Sequence, residues 1–156
     1  MRNHKSIIVI ILLIMTSIIL SGCFSDRVFS YEEISNYVFK NEEELDSLIS
    51  DNKGFDESVH FEFEKYLGSR TIVRSAYSYS SEVIEFYCGG EGLASDSKYS
   101  GFYYSKNDAF FGLEFNESRK TTEDDGSVIY HDRDGISYVY TKRISPCWFY
   151  YYMEWH

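Results

Sequence analysis

The sequence predicts an α+β domain: one N-terminal amphipathic helix, with a second short one allowed, packed on a five- to six-stranded antiparallel meander sheet. Three observations predict it. A capped segment with helical periodicity occupies the first third of the mature chain. From Thr71 onward, short alternating runs rich in Tyr, Phe, Val and Ile are separated by polar turns. No helix-length segment interrupts these runs, so neighbouring strands are joined directly rather than by βαβ crossovers.

The helix begins at Ser30. Ser30-Tyr31-Glu32-Glu33 has the form of a capping box, in which the serine hydroxyl and the Glu33 carboxylate each satisfy the other's backbone N–H. At 100° per residue, Ile34, Tyr37, Val38, Leu45, Leu48 and Ile49 fall within an arc of about 120°. Glu32, Lys40 and Glu43 lie opposite. Asn41 stands inside the apolar stripe and marks a point where the helix can break, with a second segment capped through Glu44. Gly54 is the expected stop, because glycine tolerates the left-handed end of a helix best. Asp56 to Gly68 reads two ways: Val59, Phe61 and Phe63 alternate, while Val59, Phe63, Tyr66 and Leu67 recur helically. The glycine after Leu67 favours a short second helix.

The expected strands follow in order. Ile72–Tyr79 and Val83–Tyr87 are joined by Ser80-Ser81-Glu82. Gly89, Gly90 and Gly92 suggest a flexible loop running to Ser97. Gly101–Tyr104 ends at the turn Ser105-Lys106-Asn107-Asp108, and Ala109–Phe115 is expected to pair back. Asn116–Gly126 is polar and reads as a surface loop. Val128–His131 and Ile136–Ile144 flank Asp132-Arg133-Asp134-Gly135, a strong hairpin turn. Ser145-Pro146 leads into a last strand, Trp148–Trp155.

The first 22 residues have a different character. A basic start, Met1-Arg-Asn-His-Lys5, precedes an apolar run from Ile7 to Leu20, shorter than the roughly 20 apolar residues of a spanning helix. Leu20-Ser21-Gly22-Cys23 follows. This resembles the lipobox of bacterial lipoproteins, whose cysteine receives a diacylglycerol before cleavage. The resemblance implies residues 1–22 as a signal peptide, lipidation at Cys23, residues 23–30 as a tether and residues 31–156 as one domain. Two acyl chains hold a protein firmly where one does so only marginally. The partner implied is a membrane, met through lipid from the extracytoplasmic side.

Removal of residues 1–22 takes Arg2 and Lys5 and no acid, so 13 basic residues face 25 acidic ones at a net charge of −12. Such a surface repels phosphate backbones and argues against a nucleic-acid partner. With Cys23 acylated, Cys88 and Cys147 remain as an even pair in an oxidising compartment. A bridge would close a 59-residue loop and stabilise by about 4 kcal/mol in the chain-entropy model. Two free thiols are the alternative.

Motifs for catalysis fall away on inspection. Ser95-Asp96-Ser97-Lys98 matches Ser-x-x-Lys but lies in a glycine-rich stretch rather than at the start of a long helix. Tyr138-Val-Tyr-Thr-Lys142 falls in a strand, without a dinucleotide-binding glycine motif. Asp124-Asp125-Gly126 and Asp132-Arg133-Asp134-Gly135 lack calcium-loop spacing. His60, His131 and His156 lack metal-ligand spacing. No metal or cofactor is implied and no catalytic residue is assigned, so the expectation is a non-enzyme. Glu82, Glu85 and Glu154 are acids that a glycosidase dyad would use, but nothing selects them among 25 carboxylates.

The aromatic residues are the remaining signal. Trp148, Tyr150, Tyr152 and Trp155 in the last strand are the candidate binding platform, since rings on both faces leave one set free if the helix covers the other. Tyr99-Ser-Gly-Phe-Tyr-Tyr-Ser105, Asp134-Gly135, Tyr138–Ile144 and Trp148-Phe-Tyr-Tyr-Tyr-Met-Glu-Trp155 resemble small uncharacterised lipoproteins of Gram-positive, largely gut-dwelling bacteria. That resemblance covers roughly residues 70 to 156 and implies an extracytoplasmic lipoprotein without a known activity. The leading expectation is a binding module for a cell-wall glycan or an envelope protein. The alternatives are an envelope inhibitor or immunity lipoprotein that presents Glu123-Asp124-Asp125 to a basic enzyme, and a hydrolase with an unrecognised carboxylate pair.

Overall fold

Ser30 and Glu33 close the capping box in the computed structural model. Ser30 N donates to Glu33 Oε2 at 3.0 Å, and Glu33 N donates to Ser30 Oγ at 3.3 Å. The structure describes residues 27–51, 72–80, 82–93, 96–115 and 119–156. The signal peptide, Cys23, most of the tether, the Gly54 stop and the second helix over 56–68 therefore lie outside the described residues. The helix, α1, spans Tyr31–Asp51 and is kinked at Asn41, whose φ of −118° and ψ of 15° are not helical. The Asn41 amide donates backward to Tyr37 O at 2.7 Å, so the break is held by a side chain that takes over a carbonyl of the preceding turn. Ile34, Val38, Leu45 and Leu48 are buried against the sheet, as the stripe requires.

Among the described residues the sheet has seven strands rather than five or six: β1 Ser75–Ser80, β2 Val83–Leu93, β3 Asp96–Ser105, β4 Lys120–Thr122, β5 Val128–His131, β6 Tyr138–Ser145 and β7 Trp148–Trp155. Their order is β1-β2-β3-β7-β6-β5-β4, antiparallel at each recorded pairing. The expected single meander is therefore two meanders that meet where β3 pairs with β7. The reason lies in β7. Trp148, Phe149, Tyr150 and Tyr151 are all buried, and only a central strand covered on both faces satisfies rings pointing both ways.

Two loop expectations are corrected. The glycine-rich stretch from Gly89 is not a flexible loop but the far end of a long hairpin, with Gly89 opposite Ser100 and Gly90 opposite Tyr99. A Cβ at Gly89 would collide with Arg27 O and stand 3.1 Å from the Phe29 ring. The chain entering α1 crosses the sheet at this point, fixed by Phe29 N donating to Ser100 Oγ at 2.7 Å and Tyr150 Oη donating to Phe29 O at 3.2 Å. Ala109–Phe115, expected as a strand, is irregular. Asp108 Oδ1 accepts Cys147 N at 2.7 Å and pairs with Arg143, which ties the turn after β3 to the β6–β7 turn. The segment then crosses the face opposite α1 and buries Leu113 and Phe115 there. The short β4 lies inside the stretch expected as loop, and all three of its residues are exposed.

The Asp132 turn forms as expected. Its Oδ1 accepts N–H groups from Asp134, Gly135 and Ile136 at 3.1, 2.6 and 3.0 Å. Gly135 takes a φ of 76°, which a side chain would disfavour.

The sheet thus separates two cores. On β2, β3 and β7 the even-numbered residues such as Phe86, Phe102, Trp148 and Tyr150 face α1, while Tyr103, Phe149 and Tyr151, together with Tyr130 of β5, face the 109–115 segment. The expected disulfide is not formed: Cys88 is free and buried, and Cys147 is free and half-buried. The register explains why. Cys147 precedes Trp148, which lies opposite Tyr104 and, through it, Ile84. Cys88 stands four residues further along β2 and two strands across. At about 3.3 Å per residue and 4.8 Å per strand, the pair is far beyond the roughly 7 Å Cα separation a bridge allows.

Candidate functional site

The platform assigned to β7 does not exist as one surface. Trp148 and Tyr150 are 1% and 5% exposed beneath α1. The Trp148 indole N–H donates to Asp46 Oδ1 at 3.1 Å. Tyr152 shares their face and is half-buried, its hydroxyl donating to Glu154 Oε2 at 2.8 Å. Trp155 is out of parity with the other three. It lies on the opposite face, 5.0 Å from the Phe115 ring. Alternation along a strand separates 148, 150 and 152 from 155, so the four rings cannot act together.

The opposite face holds a cleft of about 370 Å³, within the size range of small-molecule sites. Tyr79 of β1, Glu85 and Tyr87 of β2, and Tyr99 of β3 line one side. Tyr151, Met153 and Trp155 of β7 line the other, and Glu114 comes from the crossing segment. The register builds it. Tyr87 lies opposite Gly101, and Gly101 lies opposite Tyr151. Gly101 has no side chain to fill the space between the two tyrosines. The Tyr151 ring leans into that gap, with Cε1 and Oη each 2.7 Å from where a Cβ would be.

Glu85 is the half-buried acid of the cleft. Burial raises its carboxyl above the usual range, hydrogen bonding with Tyr151 and Tyr79 opposes this, and the Glu114 charge adds to the rise. Burial, followed by the same acid charge, pushes Tyr151 well above the usual phenol range and raises Tyr79 as well. Tyr151 Oη is enclosed and makes no hydrogen bond of standard length and angle. Its contact with Glu85 falls outside that geometry and still adds to the rise in its pKa.

The other acids singled out from the sequence lie elsewhere. Glu82 is at the β1–β2 turn, accepting Asn107 Nδ2 at 2.9 Å. Glu154 lies on the α1 face, where the Tyr152 and Tyr138 hydroxyls hold its pKa down. The partner of Glu85 is Glu114, which no local pattern marked. The signal for Glu85 was present: it is an acid on the inward side of Val83-Ile84-Glu85-Phe86-Tyr87. In the acidic loop, Asp125 is bound to Lys142 Nζ at 2.7 Å and to Ser127 N at 3.1 Å, so its charge is already compensated locally. Among the described residues no cluster of three or more His, Cys, Asp or Glu has the arrangement of a metal site.

No family model, curated protein or solved structure matches the chain. Among the described residues no helix is long and apolar enough to cross a membrane. The chemistry must be read from the cleft itself. Ring faces with two carboxylates suit a ligand that stacks and donates hydrogen bonds, as sugars do.

Proposed function

We propose that the protein is a lipid-anchored extracytoplasmic binding protein that takes a cell-envelope glycan in the Glu85 cleft. The observation that carries this reading is the convergence of Tyr79, Tyr87, Tyr99 and Trp155 around a half-buried carboxylate in one cleft. Pyranose rings stack on aromatic faces through their C–H groups, while their hydroxyls donate to carboxylates. The lipobox-like Leu20–Cys23 sequence and the likeness to gut-type Gram-positive lipoproteins support the location. Binding of the full chain to purified envelope glycan is the test. Trp155→Ala and Tyr99→Ala should weaken it roughly tenfold or more, at 1–3 kcal/mol per stacking ring by analogy with base stacking. Undiminished binding by both variants would refute the site. Mass spectrometry of the native N-terminus tests the anchor: a diacylated Cys23 is expected, and an unprocessed Met1 with a bare thiol would contradict it.

A second reading is favoured by one observation. Glu85 and Glu114 share the cleft, and burial moves the Glu85 pKa upward, the direction a general acid needs. A glycoside hydrolase would release reducing ends from the same glycan and lose all turnover on Glu85→Gln. A binder releases none. The inhibitor reading gains no such support, because the Asp125 charge is tied to Lys142.

A further inference from the structure

Several other carboxylates meet a basic group: Glu33 meets Arg27, Glu154 meets Lys98, Asp125 meets Lys142, Asp108 meets Arg143, and the His156 ring lies 3.2 Å from both Asp96 and Glu154. Glu85 and Glu114 have no ion-pair partner among the described residues, although Glu85 is the more enclosed and the two repel each other. The cleft lining contains no Lys, Arg or His. Half-burying the Glu85 carboxylate beside the exposed Glu114 carboxylate is costly unless Glu85 takes up a proton or a positive charge joins them. We infer that the ligand carries a protonated amino group, seated between the Glu85 and Glu114 carboxylates beneath the tyrosine rings.

Two further features point the same way. Tyr151 Oη is buried in the lining and lacks a hydrogen bond of standard geometry. An –NH₃⁺ group has three donors, enough for both carboxylates and, once the Tyr151 ring shifts to uncover its oxygen, for this phenol. The rings of Tyr79, Tyr87, Tyr99 and Trp155 supply negative faces that attract a cation most strongly where water is excluded. A neutral N-acetyl group would leave the half-buried Glu85 carboxylate beside Glu114 without a cation. The ligand class is therefore an amino sugar with a free amine, or an amine-bearing envelope glycan. This rests on the proposal that the cleft is the glycan site.

The test is calorimetry on the full chain in a polyoxyethylene detergent, with three probes: a glucosamine tetramer, an N-acetylglucosamine tetramer and tetramethylammonium chloride. The free-amine tetramer should bind roughly tenfold tighter than the acetylated one. Glu85→Gln and Glu114→Gln should each erase that preference while leaving near-UV circular dichroism unchanged. Two variants guard against one of them failing to fold. Equal or tighter binding of the acetylated tetramer would overturn the cation inference and leave the glycan cleft standing. Binding of tetramethylammonium with neither tetramer bound would support the cation site and overturn the glycan reading. No heat with any probe would overturn both.

Discussion

Tyr151 lies over Gly101, its hydroxyl 2.7 Å from where a methyl on the glycine would stand. This one relationship makes the cleft, because the bare backbone of β3 lets a β7 phenol reach toward Glu85 on β2. It also explains a glycine in the middle of a central strand, where it would ordinarily weaken the sheet. Gly101→Ala must displace the Tyr151 ring and also strain the Phe86 carbonyl. Overpacking of this kind costs about 1–3 kcal/mol. Denaturant unfolding should show a loss in that range with an unchanged m-value. A neutral substitution would mean that the two groups are not in contact.

Glu85 gives the fold an unusual response to pH. Its folded pKa is raised by burial and by the Glu114 charge, against the pull of Tyr151 and Tyr79. The folded state therefore holds the proton more tightly than the unfolded chain. The stabilising contribution is complete below the ordinary carboxylate range near pH 4 and is lost as pH rises through the raised pKa. Glu85→Gln removes that loss. Its melting temperature should exceed that of the parent at neutral pH, and the difference should vanish toward about pH 4. A variant less stable than the parent at neutral pH would show that the Glu85 charge is compensated.

The two thiols should behave differently. Cys88 is buried and burial pushes its pKa up, which removes the reactive thiolate; Cys147 is half-buried in the β6–β7 turn. An alkylating reagent should label Cys147 in the folded protein, and Cys88 only after denaturation, without added reductant. Labelling that requires a reductant would establish the bridge that the register forbids.

Local chemistry was legible where it is local. Ser30 and Glu33 announced the helix start, the Asp132–Gly135 turn announced its hairpin, and Asn41 announced the kink, although its amide reaches back to Tyr37 rather than forward. What the sequence hid is non-local. Nothing in the stretch after Ser105 says that the place beside β3 is taken by the last strand of the chain. Rings on both sides of β7 suggest one free face, whereas a central strand buries both. Gly89 and Gly90 looked like loop residues because their reason is a crossing backbone and a neighbouring ring, not their own conformation. The cleft needs the register of β1, β2, β3 and β7 at once, so Glu85 was visible only as one acid among many and Glu114 not at all.

The most direct measurement is chemical-shift mapping of the aromatic side chains while the full chain is titrated with oligosaccharide from the envelope glycan. Glycan seated in the cleft should shift Tyr79, Tyr87, Tyr99 and Trp155 and leave Trp148 and Tyr150 silent beneath the helix. Shifts confined to the α1-side tyrosines Tyr138, Tyr140 and Tyr152, or no shift in any ring, would contradict it.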